Sequence, residues 1–244
     1  MENISNFFTT VKGDNHFVTF GPTHLFILSI ALVITVFICI RKTESRKFEL
    51  FTGSILILQQ LFLYSWYFIG KYNTFKEGLP LYHCRIAIIF MGIGMILSKD
   101  ILMKIGSYWG IFGSIGALLF PGLDPFTFPH ITQFSYFIGH LFLLCGAVYL
   151  LSVKKIGMSK SDLKNVLIFT NIYHVLMFVT NNALGSNYGY MSSPPIHIGT
   201  GLNHIVYALL VMTIFNIILF IEYILINKTE YGQIDSEYSV LQEA

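Results

Sequence analysis

Along the chain, apolar runs of roughly twenty residues alternate with short polar or charged breaks. That is the run length an α-helix needs to cross a hydrocarbon layer about 30 Å thick. Seven such runs are legible, at approximately 21–40, 50–70, 80–98, 102–120, 131–153, 163–182 and 200–226. The second is the least apolar and carries Gln59, Gln60 and Tyr64. Only residues 98–101 separate the third from the fourth, which predicts a tight helical hairpin. Gly106, Gly110 and Ser114, thickened by Gly113 and Gly116, form a small-residue stripe that suits close helix packing. The pattern predicts an all-α, polytopic integral membrane protein. It has an outer segment at 1–20, a seven-helix membrane domain at 21–226 and a polar tail at 227–244, expected to be unstructured.

Composition agrees with the pattern. Hydrophobic residues make up 54% of the chain and charged residues 11%, whereas soluble domains carry about 25% charged residues. No polar stretch is long enough to fold separately. The residues before the first run lack the basic segment and cleavage site of a secretory signal, so no cleavable signal is expected. Cys39, Cys84 and Cys145 show no paired spacing, which argues against a disulfide framework. The net charge of +2 leaves no footprint for nucleic acid, and none is expected as a partner.

The positions of the charges add an orientation. Eleven basic residues fall on one side of a seven-span arrangement: Arg41, Lys42, Arg46, Lys47, Lys99, Lys104, Lys154, Lys155, Lys160, Lys164 and Lys228. Lys12, Lys71 and Lys76 fall on the other. Basic residues favour the cytoplasmic side, so the N-terminus is expected outside and the C-terminus in the cytoplasm of a multi-pass cell-membrane protein.

Candidate chemistry gathers in the outer half. On this topology all eight histidines, His16, His24, His83, His130, His140, His174, His197 and His204, lie there, together with Arg85 and Asp124. Two inward stripes are expected, His130, Gln133 and His140 on the fifth span and Asn171, His174 and Asn181 on the sixth. Polar groups at membrane depth face the bundle or water, so these residues predict a polar cavity open to the outside. Asp124, His130, Asn171, Asn181 and His204 are its expected substrate-binding residues.

The stretch Gly78-Leu79-Pro80-Leu81-Tyr82-His83-Cys84-Arg85 is the sharpest feature. Pro80 suits a first helical turn. That would put Cys84 near a helix N-terminus and beside Arg85, both of which favour the nucleophilic thiolate. Adjacent helical residues point about 100° apart, so His83 is poorly aimed at Cys84 and the base is expected from another helix. His140 and His174 are the candidates, with His140 preferred. The chain has no phosphate-binding Gly-Lys-Ser/Thr loop, no His-Glu-x-x-His motif and no Gly-x-Ser-x-Gly elbow. No histidine pair at i, i+4 occurs, and neither a metal site nor a cofactor is expected.

The run Leu79-Pro80-Leu81-Tyr82-His83-Cys84-Arg85-Ile86-Ala87 resembles the signature of the bacterial YwaF-like integral membrane protein family. That family is related to transmembrane protein 164, an acyltransferase acting on phospholipids. Tyr108-Trp109-Gly110, Phe120-Pro121, Phe128-Pro129-His130, Gly139-His140 and Asn187-Tyr188 follow in the family's order. One departure is Gly189-Tyr190-Met191-Ser192-Ser193-Pro194, where the family tends to carry a lysine. The resemblance implies a seven-helix acyltransferase whose nucleophile aligns with Cys84, with phospholipids or lysophospholipids as partners in the bilayer. The residues then predict catalytic roles for Cys84, His140 or His174, and Arg85. The competing expectation is a transporter or small-molecule-binding protein with a His/Asn-lined path, in which Arg85 binds an anion or pairs with Asp124.

Overall fold

A computed structural model describes residues 6–14, 17–194 and 201–242, with side chains as far as residue 227. Among these residues the protein is all-helical. The helices are α1 (Pro22–Arg41), α2 (Arg46–Ile69), α3 (His83–Leu97), α4 (Asp100–Leu119), α5 (Ile131–Val148), α6 (Lys160–Leu184) and α7 (His204–Gln242). A π-helical turn, Tyr149–Val153, extends α5. Six of the helices are long and apolar enough to cross a membrane, and α3 is a shorter apolar one.

Local chemistry sets most of the ends. Ser159 and Asp162 form a capping box that starts α6. Ser45 caps α2 by accepting from the Phe48 amide. Two expectations are corrected. The third apolar run becomes helical only at His83, so Pro80 lies ahead of the helix rather than in its first turn. The last helix does not end with its apolar span, because the backbone stays helical through the polar tail to Gln242.

Helices α1 to α5 pack as a bundle around Leu56, Met91, Met95, Trp109 and Leu143. Close crossings need small residues. A Cβ on Gly106 of α4 would come within 2.7 Å of the Met91 backbone, and one on Gly53 of α2 within 2.8 Å of the Gly92 carbonyl. The small-residue stripe therefore does pack helices at Gly106 and Gly110, whereas Gly113 and Gly116 face open space. Helices α6 and α7 pair with each other, joined by reciprocal amide hydrogen bonds between Asn171 and Asn216. They rest on the bundle through Trp109 Nε1 donating to Thr170 and through Lys104–Asp162. Large apolar side chains such as Leu32, Val33, Ile205 and Leu209 lie exposed on α1 and α7, as lipid-facing helices require.

At the end of the bundle holding the C-terminus of α3, Glu49 is 4% exposed and pairs with both Arg46 and Lys154 at 2.9 and 2.7 Å. Arg46 also donates to the Met95 and Ile96 carbonyls, closing the C-terminus of α3.

Candidate functional site

Fifteen residues give α3 a length of about 22 Å, short of a hydrocarbon core. Its start is recessed. His83 meets His174 Nε2 to Nε2 at 2.8 Å, and His174 lies ten residues, about 15 Å, below the end of α6. The chain before α3 therefore enters the bundle as irregular backbone. Such backbone is tolerated at depth only where protein groups satisfy it. Arg85 does much of that. Its Nη1 donates to the carbonyls of Glu77 and Leu79 at 2.6 and 3.2 Å, and its Nη2 to the Tyr67 hydroxyl at 3.2 Å. The guanidinium also sits over the rings of Tyr67 and Tyr82, 5.2 and 5.1 Å from their centroids. Tyr188 donates to the Phe75 carbonyl and accepts from the Leu79 amide, and Tyr173 donates to the Leu81 carbonyl.

Cys84, second residue of α3, faces a cavity of about 420 Å³. Arg85, His140 and Asp124 line the same cavity. His140 is 5% exposed and lies nine residues, about 14 Å, inside α5. Its Nδ1 is 2.7 Å from the Tyr136 carbonyl. A carbonyl can only accept, so the proton is on Nδ1 and Nε2 keeps its lone pair, the form a base requires. The neighbouring Tyr136 hydroxyl is committed, donating to the Ala117 carbonyl and accepting from the Gly122 amide. The arrangement can support nucleophilic attack with proton transfer close to a fixed positive charge.

The cavity lining also carries Lys12, Glu77 and Asp124. Burial pushes the Asp124 carboxyl above its ordinary range, against the pull of Arg85 and of a hydrogen bond from Thr132. Burial also raises Glu77, and the Asp124 charge adds to the rise. Folding thus favours the protonated form of both. Their contribution to stability is fullest at low pH and falls as pH climbs from about 4 through the raised folded values. Melting of the purified protein in detergent should follow that fall, and Asp124→Asn should flatten it. A slope unchanged in the variant would place the effect elsewhere.

The other candidates lie outside this cavity. His174 is fully buried and pairs with His83 among Trp109, Tyr173 and Phe215, none of which lines the Cys84 cavity. His130 caps α5 and donates through Nε2 to the Thr9 carbonyl. Asn171 is paired with Asn216. Asn181 holds the turn after α6 through Ser186 and both backbone groups of Tyr188. His204 is exposed at the start of α7. His24 accepts from the Phe20 amide and meets the Leu118 carbonyl. His16 and His197 lie outside the described residues. The two polar stripes thus belong to helices that do not share one lined path.

Several cavity residues escaped the sequence reading: Lys12, Gln60, Tyr67, Glu77, Tyr82 and Tyr190. Tyr82 stands within the 78–85 stretch, and Gln60 is marked as a polar residue within a span. Its neighbour Gln59 is satisfied by Ser135 and the Leu56 carbonyl, whereas the Oε1 of Gln60 is buried without a partner. Among the described residues, no group of three or more His, Cys, Asp or Glu side chains converges as a metal site would.

Fold and site together define a multi-pass helical membrane protein with a cysteine-bearing cavity sunk into its bundle. The family model for the TMEM164 family matches residues 13–227, and the chain belongs to that family. No curated protein and no solved structure matches it.

Proposed function

We propose that the protein is a membrane acyltransferase that moves fatty acyl chains between lipids through a thioester on Cys84. The observation that carries this reading is the meeting of Cys84, His140 and Arg85 at one cavity. His140 Nε2 takes the thiol proton as sulfur attacks an acyl ester. The C–S bond forms, the C–O bond breaks, and the departing alcohol leaves with that proton. An acceptor hydroxyl, deprotonated by the same nitrogen, then attacks the thioester and releases the thiol. The guanidinium sites of Arg85 not used on the loop hold a lipid phosphate or the oxyanion. In this reading α3 is the third of seven crossings, the N-terminus is outside, and the cavity opens to the outer face of the cell membrane.

The test uses purified protein and a phospholipid labelled in its acyl chain. A hydroxylamine-sensitive adduct should form on the wild type and be lost in Cys84→Ser. An undiminished adduct in that variant removes Cys84 from the mechanism.

A further inference from the structure

A second concavity lies at the other end of α3. Arg46, which donates to the Ile96 carbonyl, follows the groove residue Ser45. From Cys84 to Ile96 is twelve residues, about 18 Å along α3. The groove therefore belongs to the opposite membrane face from the Cys84 cavity. Its volume is about 400 Å³.

One wall is a single stripe of α1: Ile34, Phe37 and Arg41, three to four residues apart. The opposite wall is Tyr149 and Val153, the first and last residues of the π-helical turn. π-turns are rare and often occur at functional sites. Ile34 and Phe37 are 37% and 56% exposed, so the slot opens sideways to the lipid.

The groove's charge is distinctive. Arg41 is the cation that lines the groove, and two of its neighbours at this end, Arg46 and Lys154, are neutralised by the buried Glu49. Arg41 belongs to no ion pair among the described residues and sits over the Phe37 ring at 5.2 Å. An apolar slot open to lipid, ending in an unneutralised guanidinium at the level where headgroups lie, is complementary to one kind of molecule. We infer that this groove binds an anionic phospholipid, with an acyl chain along the α1 stripe and the phosphate at Arg41. Basic pockets between helices at a membrane face recognise such headgroups, and a planar guanidinium suits phosphate.

The experiment places the full chain in phosphatidylcholine vesicles containing a little phosphatidylglycerol with a photoreactive acyl chain. Labelled peptides should map to 34–41 and 149–153. Unlabelled phosphatidylglycerol should compete better than phosphatidylcholine. Arg41→Gln should weaken labelling roughly five-fold, and Ile34→Trp, which fills the slot, should abolish it. Lys47→Gln, on the same face but outside the groove, should leave it intact. Melting in phosphatidylcholine alone should be unchanged in Arg41→Gln, whose side chain is exposed and outside any ion pair. Equal labelling in Arg41→Gln, equal competition by phosphatidylcholine, labels elsewhere, or competition by soluble glycerol phosphate would each overturn the inference.

Discussion

Replacing His140 by glutamine is expected to slow acyl transfer by about 10²–10⁴-fold, the usual contribution of a positioned general base. The fold should survive. The imidazole hydrogen-bonds to the Tyr136 carbonyl, one turn earlier on the same helix, so that bond does not tie two helices together. Glutamine can keep a donor to that carbonyl but offers no titrating nitrogen. The variant should therefore also lose the dependence of rate on pH that an imidazole imposes. Single-turnover transfer of a labelled acyl chain, followed across pH, makes the measurement. An unchanged rate would transfer the role of base away from His140. His174→Gln gives the comparison. It removes a residue outside the cavity, so its effect should appear in melting temperature first.

The second large effect is expected at Arg85. In Arg85→Gln the carbonyls of Glu77 and Leu79 lose the donor they share. Each buried carbonyl left unsatisfied costs about 1–3 kcal/mol. The contacts over Tyr64, Tyr67 and Tyr82 are lost as well, at about 0.5–2 kcal/mol. Stability and acyl transfer should fall together, because the loop that Arg85 holds is also a wall of the cavity. Arg85→Lys keeps the charge without the planar fork and should restore only part of either. If Arg85 served the substrate alone, Arg85→Gln would lose transfer at an unchanged melting temperature, and that outcome would rule out its role in holding the loop.

The bonds Arg85 makes to the loop ahead of α3 explain why this stretch is conspicuous in the sequence while its place is not legible there. A guanidinium beside an apolar run is costly wherever it lies, so the residue types alone marked it. From the apolar pattern alone, residues 83–85 stand at the outer mouth of a span beginning near residue 80. The helix begins at His83 and is sunk between α5 and α6. Its depth depends on Tyr173 and Tyr188, about ninety to one hundred and ten residues away, which carry the irregular loop into the bundle.

The histidines teach the same lesson. Topology predicts where along a span each lies, but not its job. His130 is tied to Thr9, His24 to Leu118 and His83 to His174, all through contacts distant in sequence. An imidazole has one donor and one acceptor when neutral, so whichever partner the fold supplies decides whether a nitrogen remains for chemistry. His140 keeps its Nε2 because Tyr136 takes its Nδ1 within the helix. That bond is local, but the cavity that gives Nε2 something to act on is not.

The chain's apolar runs determined by themselves that it is helical and membrane-embedded, because the cost of exposing each run to water, or its polar backbone to lipid, is a local property. Its rare polar residues likewise named Cys84, Arg85 and His140 as candidates. Tertiary structure alone decided which of them meet. It recessed α3, turned His83 toward α6 and Cys84 toward the cavity, and assigned Asn171, Asn181 and His130 to structural bonds. The physical reason is that leaving a buried polar group without a partner is costly, and most of the partners that settle these roles lie on other helices or loops, where no run of sequence can display them.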